Sequence, residues 1–271
     1  LQLTEEQELV VAMVRRFVRD EILPLEYDLD PDADALDQAD RAGLIEKAKE
    51  MGLYGLDIPP AFGGPDIDLV TRTLMAVEMA QHRAGLYAPC YGTFGGAGLA
   101  QLFEATEEQK EKYLPKLATG EIMGCFGLTE PDHGSNPSGM ISNFKSDGDD
   151  VILNGAKMWI SNSPFADIAI VWAKDENKRI HGLIVERGMD GFTTPETHNK
   201  WSLRASSTGE LIFDNVRVPK KNILPGKSGL GAPLMCLDSA RYGISWGAIG
   251  VAMDCYNTAL KYSLERIQFG K

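Results

Sequence analysis

The sequence predicts an α+β multidomain protein with an all-α N-terminal domain, an antiparallel β middle domain and the start of a C-terminal helical bundle, truncated. Apolar residues recur at a helical period over the N-terminal part, give way to short β-like runs, and resume the helical period near the end. A length of 271 residues is also near the size at which one core divides into domains. The expected domains are 1–121 (helical), 122–229 (β-barrel) and 230–271 (first bundle helix, incomplete).

The N-terminal domain is expected to contain five helices, at residues 4–29, 35–51, 69–80, 97–103 and 106–120. Thr4 and Thr106 are each followed three residues later by Gln, which is the capping-box pattern of a helix start. Pro24 is expected to kink or end the first helix. Gly52 and Gly120 are placed to stop the second and fifth helices.

The middle domain is expected to be built from short strands joined by polar turns. The β-like runs are residues 151–160, 168–172, 181–185 and 210–213. Turn-type residues stand at 147–150, 175–178 and 214–215. Strands without intervening helices indicate an antiparallel barrel or sandwich. Helical periodicity returns over residues 231–268, and the apolar stripe there needs partner helices that are expected to lie outside this chain.

Composition excludes several classes of protein. The net charge is −12 and the isoelectric point about 4.8, which argues against nucleic acid and anionic membrane as main partners. No apolar run reaches membrane-spanning length. The cysteines form no Cys-x-x-Cys pair, so reduced, buried thiols in an intracellular protein are expected. The histidines have no metal-ligand spacing, and no metal site is expected.

Glycine-rich and serine motifs elsewhere do not support other cofactor or hydrolase sites. Gly96 and Gly98 are not preceded by a strand, and Gln101 stands where a dinucleotide fingerprint needs a small residue. Ser135 follows Gly134 but lacks the flanking elements of a nucleophile elbow.

The candidate ligand site is the stretch from Gly124 to Ser163. A short apolar strand there breaks into a loop rich in Gly, Pro, Asp and Ser, which exposes backbone N–H groups and small hydroxyls. Trp159 stands two residues before the hydroxyl of Ser161, so alternation puts both on one face of a strand. An indole beside a hydroxyl suits an aromatic ring with a hydrogen-bonding edge, which is a cofactor-shaped site.

Two polar groups in the C-terminal helix leave alternatives open. Asp238 and Arg241 are three residues apart and share a helical face, either as a solvated ion pair or as a polar pair that points into a cleft. Arg266, close to Phe269, is either a phosphate ligand or a surface residue.

These motifs together resemble the acyl-CoA dehydrogenase family. The segments FGLTEPDHGS at 126–135 and GAKMWISN at 155–162 are similar to its two flavin-contacting motifs. The segments SLRAS at 202–206, VRVP at 216–219 and RIQFG at 266–270 match it in the same order, and so does the order of domains. Within the family, ISNSP at 160–164 and CLDSARYG at 236–243 look most like the glutaryl-CoA dehydrogenase branch.

The resemblance implies FAD, a homotetramer, acyl-CoA as substrate, and electron transfer to electron-transferring flavoprotein after α,β-dehydrogenation. By position it implies a set of cofactor-binding residues, namely Phe126, Leu128, Thr129, Ser135, Trp159, Ile160, Ser161 and Arg266. It implies substrate contacts from Ser135, Tyr87, Leu234, Asp238 and Arg241. A bacterial cytoplasmic or mitochondrial-matrix location is expected. The same fold also serves acyl-CoA oxidases and enoyl-CoA reductases, and a non-catalytic FAD- or CoA-binding subunit is a further alternative.

Two departures from the family pattern bear on function. The family's catalytic Glu lies later in the C-terminal bundle and is expected beyond Lys271, so no base is named here. Tyr87 stands where glutaryl-type enzymes place an Arg for the distal carboxylate, which favours an uncharged, aromatic or cyclic acyl group.

Overall fold

The computed structural model describes residues 2–30, 32–33, 36–82, 97–204, 206–226 and 228–270. Its helices are α1 (Glu5–Phe17), α2 (Leu23–Asp28), α3 (Gln38–Glu50), α4 (Leu69–Met79), α5 (Glu107–Thr119) and α6 (Gly231–Glu265). Its strands are β1 (Gly124–Gly127), β2 (Asn143–Asp147), β3 (Asp150–Ser161), β4 (Ile168–Lys174), β5 (Ile180–Glu186), β6 (Phe192–Thr193) and β7 (Thr208–Pro219). The expected order of a helical part, a β part and a final long helix is confirmed. The exact domain boundaries stay predictions.

The helix starts follow the sequence signals. Thr4 and Thr106 each form a complete capping box with the Gln three residues later, which satisfies two free amides at each helix start. Helix α5 ends at Gly120, which adopts a left-handed conformation with φ of 68°. Helix α3 starts later than expected because Asp37 caps it by accepting from the amide of Ala39 at 2.7 Å.

Two helical expectations need correction. Pro24 does not end the first helix, because a π-helical turn at Val18–Ile22 precedes it and places it in the first turn of α2, where no amide is required. The segment Ala97–Glu104 is a 3₁₀ helix instead of an α-helix. A 3₁₀ helix puts every third residue on one side, and the period-three residues Leu99, Leu102 and Ala105 are all buried.

Within the described residues, the seven strands form one sheet with the order β1-β4-β2-β3-β7-β6, and β5 pairs with β4. The pairs β2–β3, β3–β7, β4–β5 and β6–β7 are antiparallel, as expected. Strand β1 runs parallel to β4, and β2 meets β4 in parallel at the single pair Asn143–Lys174. Strands β2 and β6 were not expected, since each has few buried apolar positions.

The core lies on both faces of β4. Ile168, Ile170 and Trp172 pack on one face with residues of α5 and the 3₁₀ helix, whereas Val171 and Ala173 pack on the other face with β3 and β7. A strand that is covered on both sides reads as a continuous apolar run, as the sequence of β4 does. The helical and β parts therefore share one of their hydrophobic clusters.

The long β3–β7 pairing contains two β-bulges of opposite sense. Between the pairs Leu153–Val216 and Gly155–Phe213, strand β7 carries one extra residue. Between Lys157–Leu211 and Ile160–Gly209, strand β3 carries the extra residue. The register shifts by one residue at the first bulge and shifts back at the second.

Helix α6 is anchored at its N-terminal part and is exposed over much of the rest. Gln101 donates to the carbonyl of Ala232 at 3.2 Å, and Gly250 lies so close to α4 that a Cβ there would be 2.2 Å from the carbonyl oxygen of Val77. Large apolar side chains remain exposed along this helix and just after it, namely Ile244, Tyr256, Tyr262, Leu264 and Ile267. The thiols of Cys125 and Cys236 are buried as expected, whereas Cys255 on α6 is exposed, which corrects that expectation. None of the described helices combines the length and apolar character needed to cross a membrane.

Candidate functional site

The two halves of the candidate stretch meet where β1 ends and β3 bulges. The amide of Met158 donates to the carbonyl of Thr129 at 2.9 Å, which ties the segment after β1 to the bulged part of β3. Gly127 is required at this crossing, because a Cβ there would be 2.8 Å from a methyl of Leu211 and 3.1 Å from Cγ of Lys157. Thr129 and the end of β3 are thus brought together.

Trp159 sits on the bulge and faces outward. Its φ is 62°, which is uncommon for a bulky residue, and its side chain is 57% exposed. Ser161 is also exposed, while Ile160 between them is buried. We call the surface formed by Thr129, Trp159 and Ser161 the wall. It presents an indole face and a hydroxyl on the same side of β3. A strained, exposed aromatic residue of this kind indicates a functional site.

A second aromatic ring extends this surface. Phe165, in the turn after β3, is 38% exposed, and the guanidinium of Arg41 on α3 lies 4.3 Å from its ring centroid. Burial lowers the pKa of Arg41, although it remains charged. This cation–π contact links a helix of the N-terminal part to the turn that follows β3.

Beneath the wall lies a buried ion pair. The ammonium of Lys157 donates to Oε1 of Glu130 at 2.7 Å and to the carbonyl of Leu128 at 3.3 Å. The side chains are 0% and 1% exposed. The Glu130 carboxylate also accepts from the amides of Ile141, at 2.6 Å, and Ser142, at 3.0 Å.

The electrostatics of this pair favour the ionised carboxylate. Burial by itself would raise the pKa of Glu130, but the Lys157 ammonium and the neighbouring amides together hold that pKa below its usual value. Burial lowers the pKa of Lys157, and the bond to Glu130 opposes this shift. At neutral pH the pair is an ion pair with its oxygens well supplied with donors.

The loop of residues 131–140 carries Ser135 and is closed at its base by Glu130. The backbone of Glu130 and His133 exchange two hydrogen bonds, at 3.2 and 3.3 Å, so the loop begins with a tight turn. Ser135 and its neighbours are exposed. The loop therefore offers a free hydroxyl next to a rigid base.

Gly155 gives a direct test of how tightly this region is packed. Its φ is 141°, and a Cβ there would be 2.3 Å from Oγ of Ser142, which is itself fully buried. We expect Gly155→Ala to lower the free energy of unfolding by about 2–4 kcal/mol. The matched control is Gly148→Ala in the β2–β3 turn, where φ is 59° and no atom lies within 4 Å. That control is expected to cost about 1 kcal/mol. Equal losses in urea denaturation of the two variants would contradict the packing argument.

Comparison with known proteins decides the family. Residues 4–121 match the description "Acyl-CoA dehydrogenase, N-terminal domain", and residues 125–216 match "Acyl-CoA dehydrogenase, middle domain". The short-chain-specific acyl-CoA dehydrogenase of Clostridium acetobutylicum is 36% identical over 99% of this chain and 71% of its own length. The chain belongs to the acyl-CoA dehydrogenase family.

Solved structures of this family share the fold throughout. A glutaryl-CoA dehydrogenase from Mycobacterium smegmatis in complex with FADH2 superposes with a TM-score of 0.87 and 38% identity. The match covers 99% of this chain and 68% of that one. A chain in the structure of the electron-transferring flavoprotein of Acidaminococcus fermentans matches with a TM-score of 0.86 and 34% identity, over 100% of this chain and 71% of that one.

In this acyl-CoA dehydrogenase chain the expected cofactor residues fall into two groups. Thr129, Trp159 and Ser161 lie on the wall with accessible side chains, and Phe126 is half-buried with its ring 6.4 Å from that of Trp172. The side chains of Leu128 and Ile160 are each 4% exposed and belong to the core. Only the main chain of these two residues is left for a ligand.

The expected substrate residues are more scattered. Asp238 and Arg241 form an exposed ion pair at 2.5 Å on α6, and Leu234 is 37% exposed one turn earlier. Arg266 follows the end of α6 and is exposed, and among the described contacts none links it to the wall. Tyr87 lies outside the described residues.

Sequence reasoning missed the contact between Glu130 and Lys157 under the candidate site and the contact of Arg41 with Phe165. A signal for Lys157 was present, because it continues the inward parity of Val151 and Leu153 on β3. An inward lysine requires an acidic partner, and Glu130 lies in the other motif. Among the residues that the structure describes, no group of three or more His, Cys, Asp or Glu could hold a metal ion.

Proposed function

We propose that the protein is an FAD-dependent dehydrogenase that forms an α,β double bond in an acyl-CoA thioester and passes the electrons to electron-transferring flavoprotein. The observation that carries the proposal is the outward-facing Trp159, held on a bulge beside the hydroxyls of Thr129 and Ser161. Family membership and a structural neighbour in complex with FADH2 support it. The match to a chain in an electron-transferring flavoprotein structure supports the electron acceptor.

The residues of the wall fit a flavin. An isoalloxazine is a flat ring with an apolar face and a polar edge, and the wall offers an exposed indole face next to two hydroxyls. Phe165 with Arg41 adds a further aromatic surface at the rim. The bound flavin supplies the hydride acceptor, N5, for a hydrogen from the β-carbon.

The roles of this chain are to bind, orient and exclude water. Trp159 would cover one face of the ring, and Ser161 and Thr129 would bond its polar edge through their hydroxyls. Ser135, on the exposed loop, would contact both the flavin and the CoA, while Leu234, Asp238 and Arg241 would border the thioester arm. Fixed donors and a dry cleft matter because the α-proton is weakly acidic and charge develops on the thioester oxygen.

We assign the α-proton to no described carboxylate. A general base of this kind needs a pKa raised towards the working pH. Among the described residues, the buried Glu130 and Glu78 are each bonded to a cation, Lys157 and Arg15. The third buried glutamate, Glu26 on α2, lies in the helical part with its carboxylate 3.9 Å from the ring of His82. The pKa of Glu130 is shifted downward, away from such a role.

We further propose a homotetramer in which α6 packs against other helices. The support is the series of exposed apolar side chains along α6, which a helix in water does not tolerate over such a length. Arg266, beyond that helix, would then reach the FAD of a neighbouring subunit. By analogy with relatives, a bacterial cytoplasmic or mitochondrial-matrix location is proposed.

Anaerobic titration tests the function directly. The full protein is expected to carry FAD and to be yellow, and its flavin absorbance is expected to bleach when a saturated acyl-CoA is added without oxygen. A panel of straight-chain, cyclic, aromatic and dicarboxylyl thioesters identifies the acyl class by the extent of bleaching. Protein that binds no flavin, or flavin that no acyl-CoA reduces, would refute the proposal.

A further inference from the structure

We propose that the buried Glu130–Lys157 pair positions the wall for FAD. Loss of the pair therefore weakens FAD binding, although neither side chain contacts FAD. This inference rests on the proposed function, because it concerns how the same wall is held. The pair lies under the segment Leu128–Glu130 and links both candidate motifs.

The geometry fixes the main chain on both sides of Thr129. The Lys157 ammonium reaches the carbonyl of Leu128 and the carboxylate of Glu130, which are the residues before and after it. The carbonyl of Thr129 itself accepts from Met158 at 2.9 Å. Three successive residues are therefore bonded to β3, and these bonds fix the position of the main chain that carries the Thr129 side chain.

The same carboxylate also fixes the loop that carries Ser135. Besides Lys157, Glu130 accepts from the amides of Ile141 and Ser142, where the loop returns to the sheet. One side chain thus joins the end of β1, the bulged part of β3 and both ends of the loop. Support of this kind from outside the contact layer is what keeps a cofactor site in a productive geometry.

Stability alone gives a poor reason for this arrangement. Removing two charges from water costs as much as their attraction returns, and apolar residues of the same size often serve a core equally well. Here both side chains are buried almost completely, and Gly127 leaves the space through which the lysine stem passes. The bonds to three backbone groups, the carbonyl of Leu128 and the amides of Ile141 and Ser142, are what an apolar pair could not supply.

Two variants and a matched control separate positioning from stability. Lys157→Met leaves a buried carboxylate without its cation, and the double variant Lys157→Met/Glu130→Gln removes both charges but keeps an acceptor for the amide of Ser142. Arg15→Met is the control, because it leaves the buried Glu78 of α4 without the bidentate partner that holds it at 2.8 and 3.0 Å. The readouts are melting temperature, the FAD dissociation constant of flavin-depleted protein, and hydrogen exchange of amides 128–142 by mass spectrometry.

Lys157→Met is expected to weaken FAD binding by about tenfold, as outer-layer partners do at other cofactor sites, and to speed exchange of amides 128–142. The double variant is expected to regain melting temperature but neither FAD affinity nor exchange protection. Arg15→Met is expected to lower the melting temperature with FAD affinity unchanged.

Recovery of FAD affinity in step with melting temperature in the double variant would overturn the inference, and so would unchanged affinity in Lys157→Met. A wild-type protein that binds no FAD would instead refute the proposed function. Because exchange is read in flavin-depleted protein, it tests the positioning of amides 128–142 in either case.

Discussion

Trp159→Ala is expected to weaken FAD binding by about 1–3 kcal/mol, or roughly 5- to 150-fold, which is the range that loss of one aromatic stacking partner gives. The indole is 57% exposed and lies on a bulge, so its removal opens no cavity in the core. The free energy of unfolding of flavin-depleted protein should therefore change little. Fluorescence titration with FAD and urea denaturation measure the two quantities separately.

Trp201 provides the matched control for this substitution. It is also a tryptophan on the surface of the β part and is fully exposed, but it lies in the segment before β7 and outside the wall. Trp201→Ala is expected to leave FAD affinity unchanged. If both variants bind FAD like the wild type, the stacking role of Trp159 is wrong.

Lys157→Met is expected to lower the free energy of unfolding by about 3–5 kcal/mol at pH 7, the usual cost of removing one partner from a buried ion pair. Glu130 would keep its bonds to the two amides but lose the only cation that the described contacts give it. Methionine fills most of the space of the lysine stem, so the loss reports the charge rather than a cavity.

The pH dependence of this loss has a definite sign. In the wild type the pKa of Glu130 is held below its usual value, so the pair's contribution is present above that value and is lost as the pH falls through the lowered pKa. In the variant, burial acts on Glu130 without the ammonium and raises its pKa. Protonation of Glu130 then removes the buried charge. The difference in free energy of unfolding between the variant and the wild type should therefore become smaller from pH 7 to about pH 5.

A partly exposed pair shows how specific this effect is. Lys112 and Glu186 are 2.8 Å apart but 47% and 36% exposed, so Lys112→Met is expected to cost less than about 1 kcal/mol. Its cost should change less between pH 7 and about pH 5 than that of Lys157→Met, because Glu186 is partly exposed and keeps its bonds to Tyr113 and Asn222. If the loss of free energy of unfolding in Lys157→Met is constant over this pH range, ionised Glu130 is not the cause of that loss.

Local signals in the sequence were enough to predict most of the fold. The capping boxes at Thr4 and Thr106 and the left-handed Gly120 act within a few residues, so they are visible without tertiary information. The run at β4 is apolar on both faces and could be placed as a core strand. Strand β2 could not, because of its residues only Phe144 is buried and its pairing with β3 decides its conformation.

The sequence predicted the exposed residues of the candidate site but not the buried contacts that hold them in place. Trp159 and Ser161 stand in a recognisable motif, but the bulge that exposes the indole depends on the pairing of β3 with β7, which single-strand periodicity does not reveal. The bond between Lys157 and Glu130 joins residues 27 positions apart, and only the fold brings them into contact. Leu128 and Ile160 were expected among the cofactor-binding residues, and the parity of the strands turns their side chains into the core, which periodicity alone did not show.

The second of the two bulges, whose extra residue lies on β3, also bears on how this strand can change in length. Its extra residue separates Lys157 from Ile160 by three positions, opposite two on β7, yet both side chains point inward. Deletion of Trp159 would therefore restore simple alternation and leave every inward residue where it is. The pairing of β3 with β7 does not require Trp159, and its presence interrupts the regular alternation of β3. Deletion of Trp159 is therefore expected to affect ligand binding more than the pairing of β3 with β7.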